Sequence, residues 1–370
     1  MLHRAIPILL LAAFATACTE PGKITSSSTE VAAAVAAAAT ITVVMSNLNS
    51  PRGLGWGPEG ALYVAEAGTT TATGACIPVI EGGPVTKCYS GTGSISRMWK
   101  GRQERVVSGL PSTFLVENGF AAGPQDISLH GRGNAHVPIG LGNNPGIRAA
   151  FGEAGALLGA LIQLAPSGEW RVVADISGFE AFANPAGGPV DSNPYGVLAE
   201  AGRTFVVDAG GNSLLEVSAS GAVSVIATFP STPAPPPFNQ SEAVPTKVER
   251  GPDGALYVST LSGVPFLAGA AAIYRVIPGQ APQLYAGGFK MITDFTFGPD
   301  GSMYVLQFAT APLFLGGPGA LIHIAPDGTR STITTELFQP TGVTVGKDGS
   351  VYVSNKGTLT GLGEVLRIVF

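Results

Sequence analysis

Charge is scarce in this chain. Asp, Glu, Lys and Arg make up only 12% of its 370 residues, fewer than the solvent faces of a helix-rich protein carry. The balance is mildly acidic, at net −5 with a pI near 5.4, so no basic field exists to draw in phosphate backbones, and nucleic acid is excluded as a partner. Long apolar runs are missing too. Ala5–Ala17, interrupted by Pro7, is too short for a spanning helix, and nothing later reaches roughly 18 apolar residues. Histidine occurs four times, at 3, 130, 136 and 323. No metalloprotease His-Glu pair, serine nucleophile elbow, Walker loop or clustered Cys/His set appears. His136 falls in an expected strand and reads as structural, so no catalytic residue is nominated.

Glycine and proline, by contrast, are abundant, at 51 and 29 residues, which suits many short strands joined by tight turns. The N-terminus reads as an export signal over residues 1–17, with Arg4 ahead of the apolar run. Ala15-Thr16-Ala17-Cys18 fits two processing routes: A-x-A cleavage, or a lipobox that lipidates Cys18 despite Ala15 standing where Leu is usual. The three cysteines favour the second route. Pairing Cys76 with Cys88 leaves Cys18 over, and lipidation accounts for it. The membrane is then met only through a lipid anchor. Residues 18–39, Ser/Thr-rich then Ala-rich, read as a linker, and 40–370 as one domain.

That domain is built from a repeat. Gly251-Pro252-Asp253-Gly254-Ala255-Leu256-Tyr257-Val258 returns from Gly298, from Gly346 and, earlier, from Gly57; eroded copies start at His130 and Ala199. The starts lie 73, 69, 52, 47 and 48 residues apart, and the shorter spacings approach the period of a four-stranded propeller blade. Each unit offers a short apolar strand, the Gly-Pro-Asp-Gly turn, a Leu-Tyr-Val strand, a third strand such as Ala320–Ile324 and an outer strand such as Val223–Ile226. No strongly periodic helix is expected. The sixth unit ends at Phe370 without its outer strand, and Ile41–Leu48 carries the outer-strand pattern of Arg105–Leu110. The expected fold is therefore all-β: a six-bladed β-propeller of NHL or lactonase type, with the N-terminal strand pairing onto the last blade.

With these residues in view, the chain resembles the ScyD/ScyE family, named for its association with scytonemin biosynthesis. The likeness is most specific at Gly123–Ser128, Ile139–Gly142 and Asn193–Val197, and runs on through Val207–Asn212, Val244–Thr246, Gly287–Phe289 and Gln339–Val343. It implies an exported propeller and brings no catalytic motif. The sequence departs from the repeat at His130–Gly133 and at Lys247, where related units have glycine after Pro-Thr.

A site belongs where the first strands begin and the second strands end, at the mouth of a central channel. Arg52, Asp126, Tyr195, Lys247 and Asp294 precede or open first strands; Glu66, Asp208, Gln307 and Asn355 close second strands. Loops over that mouth are long and partly apolar, among them Ala67–Gly93, Gly140–Gly155, Leu261–Ala271 and Ala309–Gly319 with Pro312–Leu315. This suits a small amphipathic ligand or a protein partner. Packing of the loops upon one another is the plainer alternative. Glu66, Asp126, Asp208 and Asp294 are the candidate oxygen ligands should Ca²⁺ be a cofactor, although each could instead cap backbone amides. Two functions follow: a non-catalytic binding or scaffold protein of the cell envelope, or a Ca²⁺-type lactonase-like hydrolase or lyase at the channel mouth.

Overall fold

The computed structural model describes residues 39–81, 83–311 and 316–370. The signal peptide, Cys18, most of the linker and Pro312–Leu315 lie outside these residues. Each repeat unit folds into one four-stranded antiparallel sheet. The first strands are Pro51–Trp56, Ser128–His130, Pro194–Glu200, Pro245–Arg250, Ile292–Phe297 and Gly342–Val345, and define sheets 1 to 6.

The turn chemistry explains the hairpins. Gly60, Gly254, Gly301 and Gly349 hold φ between 77° and 83°, which a side chain resists. The preceding aspartates close Asx turns: Asp253, Asp300 and Asp348 each accept an N–H from two residues on, at 3.0–3.1 Å. The strands that follow are buried almost without interruption, Leu256–Thr260 and Met303–Gln307 at every position, so both of their faces pack against neighbours. Leu214 of sheet 3 and Val248 of sheet 4 belong to one core, as do Leu321 of sheet 5 and Val353 of sheet 6.

The N-terminal strand Thr40–Leu48 completes sheet 6. It runs antiparallel to Gly363–Val369, with Ile41 opposite Ile368 and Val43 opposite Leu366. Met45 and Leu48 from this strand are buried with Val365, Leu54 and Val64, so the last sheet shares a core with the first. First strands also pack on one another in sequence order, and that of sheet 6 packs on that of sheet 1.

The long repeat intervals have visible causes. In the first, Cys76–Ile80 and Pro84–Tyr89 pair with Thr113–Leu115 and Ala121–Ala122 as a further four-stranded sheet. The Cys76–Cys88 disulfide links facing residues of its hairpin. The stretch expected to be loop is thus a small sheet. In the second, 3₁₀ turns at Pro145–Leu157 and a helix, α1 (Ile176–Ala183), intervene. Asp175 caps α1 by accepting from the Gly178 N–H at 2.9 Å. At eight residues this helix is too short to leave a periodic signal.

Candidate functional site

The first strands align as Pro51-Arg52-Gly53, Pro124-Gln125-Asp126, Pro194-Tyr195-Gly196, Pro245-Thr246-Lys247, Ile292-Thr293-Asp294 and Pro340-Thr341-Gly342. Successive side chains on a strand point opposite ways, so the second and third members of these triplets do different work.

Third members make an ion cluster. Lys247 Nζ lies 2.9 Å from Asp126 Oδ2, 3.7 Å from Asp294 Oδ1 and 4.0 Å from Glu249 Oε1. Each aspartate also reaches the following sheet: Asp126 accepts from the Val197 N–H and Asp294 from the Val343 N–H, both at 2.9 Å. Glycine at the other three positions permits the close approach. A Cβ on Gly53 would lie 1.9 Å from Asp126 Oδ1, and one on Gly342 would lie 2.5 Å from the Arg52 carbonyl. Burial would lower the Lys247 pKa, but Asp126, Asp294 and Glu249 override it and hold the ammonium firmly charged. Burial pushes Asp294 up to about 8 and Glu249 to about 7, with Lys247 opposing both shifts.

Second members make a floor. Thr246, Thr293 and Thr341 donate to the carbonyls of Ile292, Pro340 and Pro51 at 2.7–3.0 Å, joining consecutive sheets. Arg52 is buried and caged by acceptors. Its Nε donates to Gln125 Oε1 at 2.9 Å, Nη2 to the Ala121 carbonyl at 2.7 Å, and Nη1 to the Pro51 and Gly357 carbonyls. Burial raises the Tyr195 pKa, keeping the phenol neutral.

Above this floor lies a cavity of about 190 Å³. Arg52, Gln125, Tyr195, Thr293 and Thr341 form its polar side, while Leu115, Phe120, Leu261, Met291 and Phe308 are its apolar walls. Lys87, on the disulfide-linked hairpin, also borders it and ties that hairpin to sheet 2. Its ammonium donates to the Leu141 and Gly142 carbonyls at 2.9 and 2.8 Å and pairs with Glu81 at 3.2 Å.

The structure thus places Arg52 and Tyr195 at the cavity, gathers Asp126, Lys247 and Asp294 in the ion cluster, and puts the second-strand group elsewhere. Glu66, Asp208, Gln307 and Asn355 turn back to hold the start of their own sheets. They accept the backbone N–H of Asn49, Asn193, Lys290 and Phe338 at 2.6–2.8 Å. Glu66 is also paired with Arg105 at 2.8 Å, and burial pushes Asp208 up to about 6. The four carboxylates named as Ca²⁺ ligands therefore do not share one site. Among the described residues no group of three or more Asp, Glu, His or Cys side chains could hold a metal ion. Ca²⁺ takes six to eight oxygens, whereas Asp126 and Asp294 spend theirs on backbone amides around a lysine ammonium. These residues do not fit that ion.

His136 stands apart from the cavity, half-buried beside Gln163; burial first, and nearby Arg171 second, lower it to about 4. Sequence reasoning missed Lys87 and Glu249. Glu249 lies two residues beyond Lys247, on the same face of a strand, a spacing that was available to find it.

No family model matches the chain, and no curated protein matches it in sequence. Solved structures do match. A candidate oxidoreductase (glucose dehydrogenase) of Thermus thermophilus is 16% identical with a TM-score of 0.53, over 90% of this chain and 100% of that one. A gluconolactonase of Xanthomonas campestris is 9% identical with a TM-score of 0.51, over 90% of both chains. Virginiamycin B lyase of Staphylococcus aureus is 12% identical with a TM-score of 0.49, over 88% of both. At such identities the first two likenesses speak for fold alone: the chain is similar to β-propellers.

Proposed function

We propose that this protein is an exported six-bladed β-propeller of the ScyD/ScyE type, which binds a small amphipathic ligand without transforming it. The cavity carries this reading, because a floor of Arg52, Gln125 and Tyr195 faces walls of leucine, methionine and phenylalanine. The six-bladed ring is supported by the strand Thr40–Leu48 in the last sheet and by the core that sheet shares with the first. The Cys76–Cys88 disulfide supports an oxidising compartment, and no described helix is long and apolar enough to cross a membrane. Tethering through Cys18 completes the reading. Mass spectrometry of the mature N-terminus separates a diacylglyceryl cysteine from a free end.

The rival reading, a metal-dependent lactonase-like hydrolase or lyase, has one observation in its favour: Asp126, Asp294 and Glu249 converge. An assay of a lactone panel with Ca²⁺, Mg²⁺ or Zn²⁺ decides between them. The binding reading expects no turnover with any ion. Metal-dependent turnover that disappears in Asp126→Asn would establish the rival.

A further inference from the structure

Arg52 is a buried charge without a counter-charge. Only 6% of the residue is exposed, and no carboxylate among the described residues lies within ion-pair distance of it. A buried cation is normally paired with an anion. Here the cage consists of neutral oxygens. Of five guanidinium N–H groups, Nε–H goes to Gln125, two on Nη1 go to the Pro51 and Gly357 carbonyls, and one on Nη2 goes to the Ala121 carbonyl. One Nη2 N–H has no partner among the described residues, on a residue that borders the cavity.

The neighbouring acids are already engaged. Asp126 and Asp294 share Lys247. Neither of them lies within ion-pair distance of Arg52. Lys87, the other cation at the cavity, has its own partner in Glu81. The Tyr195 hydroxyl makes no hydrogen bond among the described residues and borders the same space.

Resting on the ligand-binding reading above, we infer that the cavity selects a small monocarboxylate with an apolar body. The carboxylate takes the free Arg52 N–H and the Tyr195 hydroxyl, and the body lies against Leu115, Met291 and Phe308. Charge-assisted hydrogen bonds of this kind are about twice as strong as neutral ones. The volume of about 190 Å³ falls below the roughly 300 Å³ where pockets for drug-sized ligands begin, which points to a single-ring acid.

The test is calorimetry on the full chain with three probes of one shape: phenylacetate, phenylacetamide and phenethylammonium. The inference expects phenylacetate to bind at least about tenfold more tightly than phenylacetamide and phenethylammonium not to bind. Tyr195→Phe should weaken phenylacetate several-fold with little change in Tm. Phe308→Trp, which fills the cavity, should abolish binding in a protein that still melts cooperatively. These two variants keep the test sound if Arg52→Gln, which removes several inter-sheet bonds, does not fold. Equal binding of phenylacetate and phenylacetamide overturns the charge selection and leaves the ligand-binding reading standing. Binding of none of the three overturns both.

Discussion

Lys247 and Asp126 are 121 positions apart in the chain, and their side chains meet at 2.9 Å among the first strands of the sheets. With Asp294 on the other side of the ammonium, at 3.7 Å, one cation lies between two buried acids. The arrangement ties sheets 2, 4 and 5 to each other.

Removing that ammonium isolates the acids. Lys247→Met should destabilise the protein by about 3–5 kcal/mol at pH 7, the usual cost of breaking a buried pair from one side. Adding Asp126→Asn should recover part of the loss, because one unpaired charge is then gone. Urea unfolding of wild type, single and double variants measures this. A single variant as stable as wild type would show that the cluster contributes nothing.

Glu180 predicts a pH dependence. It is buried on α1 facing Asp208 and Asp191, and burial first, then those two charges, push it up to about 7. In the unfolded chain it titrates near pH 4.3. Between about pH 4 and 7 the folded state therefore holds a proton that the unfolded state has lost. The contribution is complete below that window and disappears as pH rises through about 7. Asp208, pushed up to about 6, acts in the same direction. Glu180→Gln should be more stable than wild type at pH 8, by on the order of 1–2 kcal/mol, and should flatten the slope between pH 5 and 8. Urea unfolding at both pH values checks it, and a slope left unchanged would remove Glu180 from the account.

The N-terminal strand should matter more than its position suggests. Leu48→Ala should cost about 2–5 kcal/mol, since Leu48 is fully buried between the last and first sheets. A chain begun at residue 49 would expose the edge of Gly363–Val369, and should melt lower and self-associate. Calorimetry with light scattering reads both; a monomer of unchanged Tm would refute the role given to this strand.

How far the sequence reveals all this depends on the range of the interaction. The Gly-Pro-Asp-Gly turns are local chemistry, so the hairpins at Gly254, Gly301 and Gly349 are legible from residues alone. The missing last strand is legible because Ile41–Leu48 repeats an outer-strand pattern. Lys247 stands out as a departure from glycine, but its partnership with Asp126 and Asp294 is a meeting of three sheets that no spacing encodes. Glu66, Asp208, Gln307 and Asn355 occupy the expected level of the fold. Whether such a side chain faces inward or folds back onto Asn49, Asn193, Lys290 or Phe338 is set by local backbone direction, which residue type does not reveal. The hairpin at Cys76–Tyr89 was hidden because its partner strands, Thr113–Leu115 and Ala121–Ala122, are too short to show alternation.

The central claim is that Asp126 and Asp294 are spent on the Lys247 ammonium and on backbone amides rather than on a metal ion. Calorimetric titration with Ca²⁺, followed by the shift in Tm at millimolar Ca²⁺, tests it most directly. The account predicts no binding heat and no shift for the wild type. Tight Ca²⁺ binding that raises the Tm of the wild type and is lost in Asp126→Asn would contradict it.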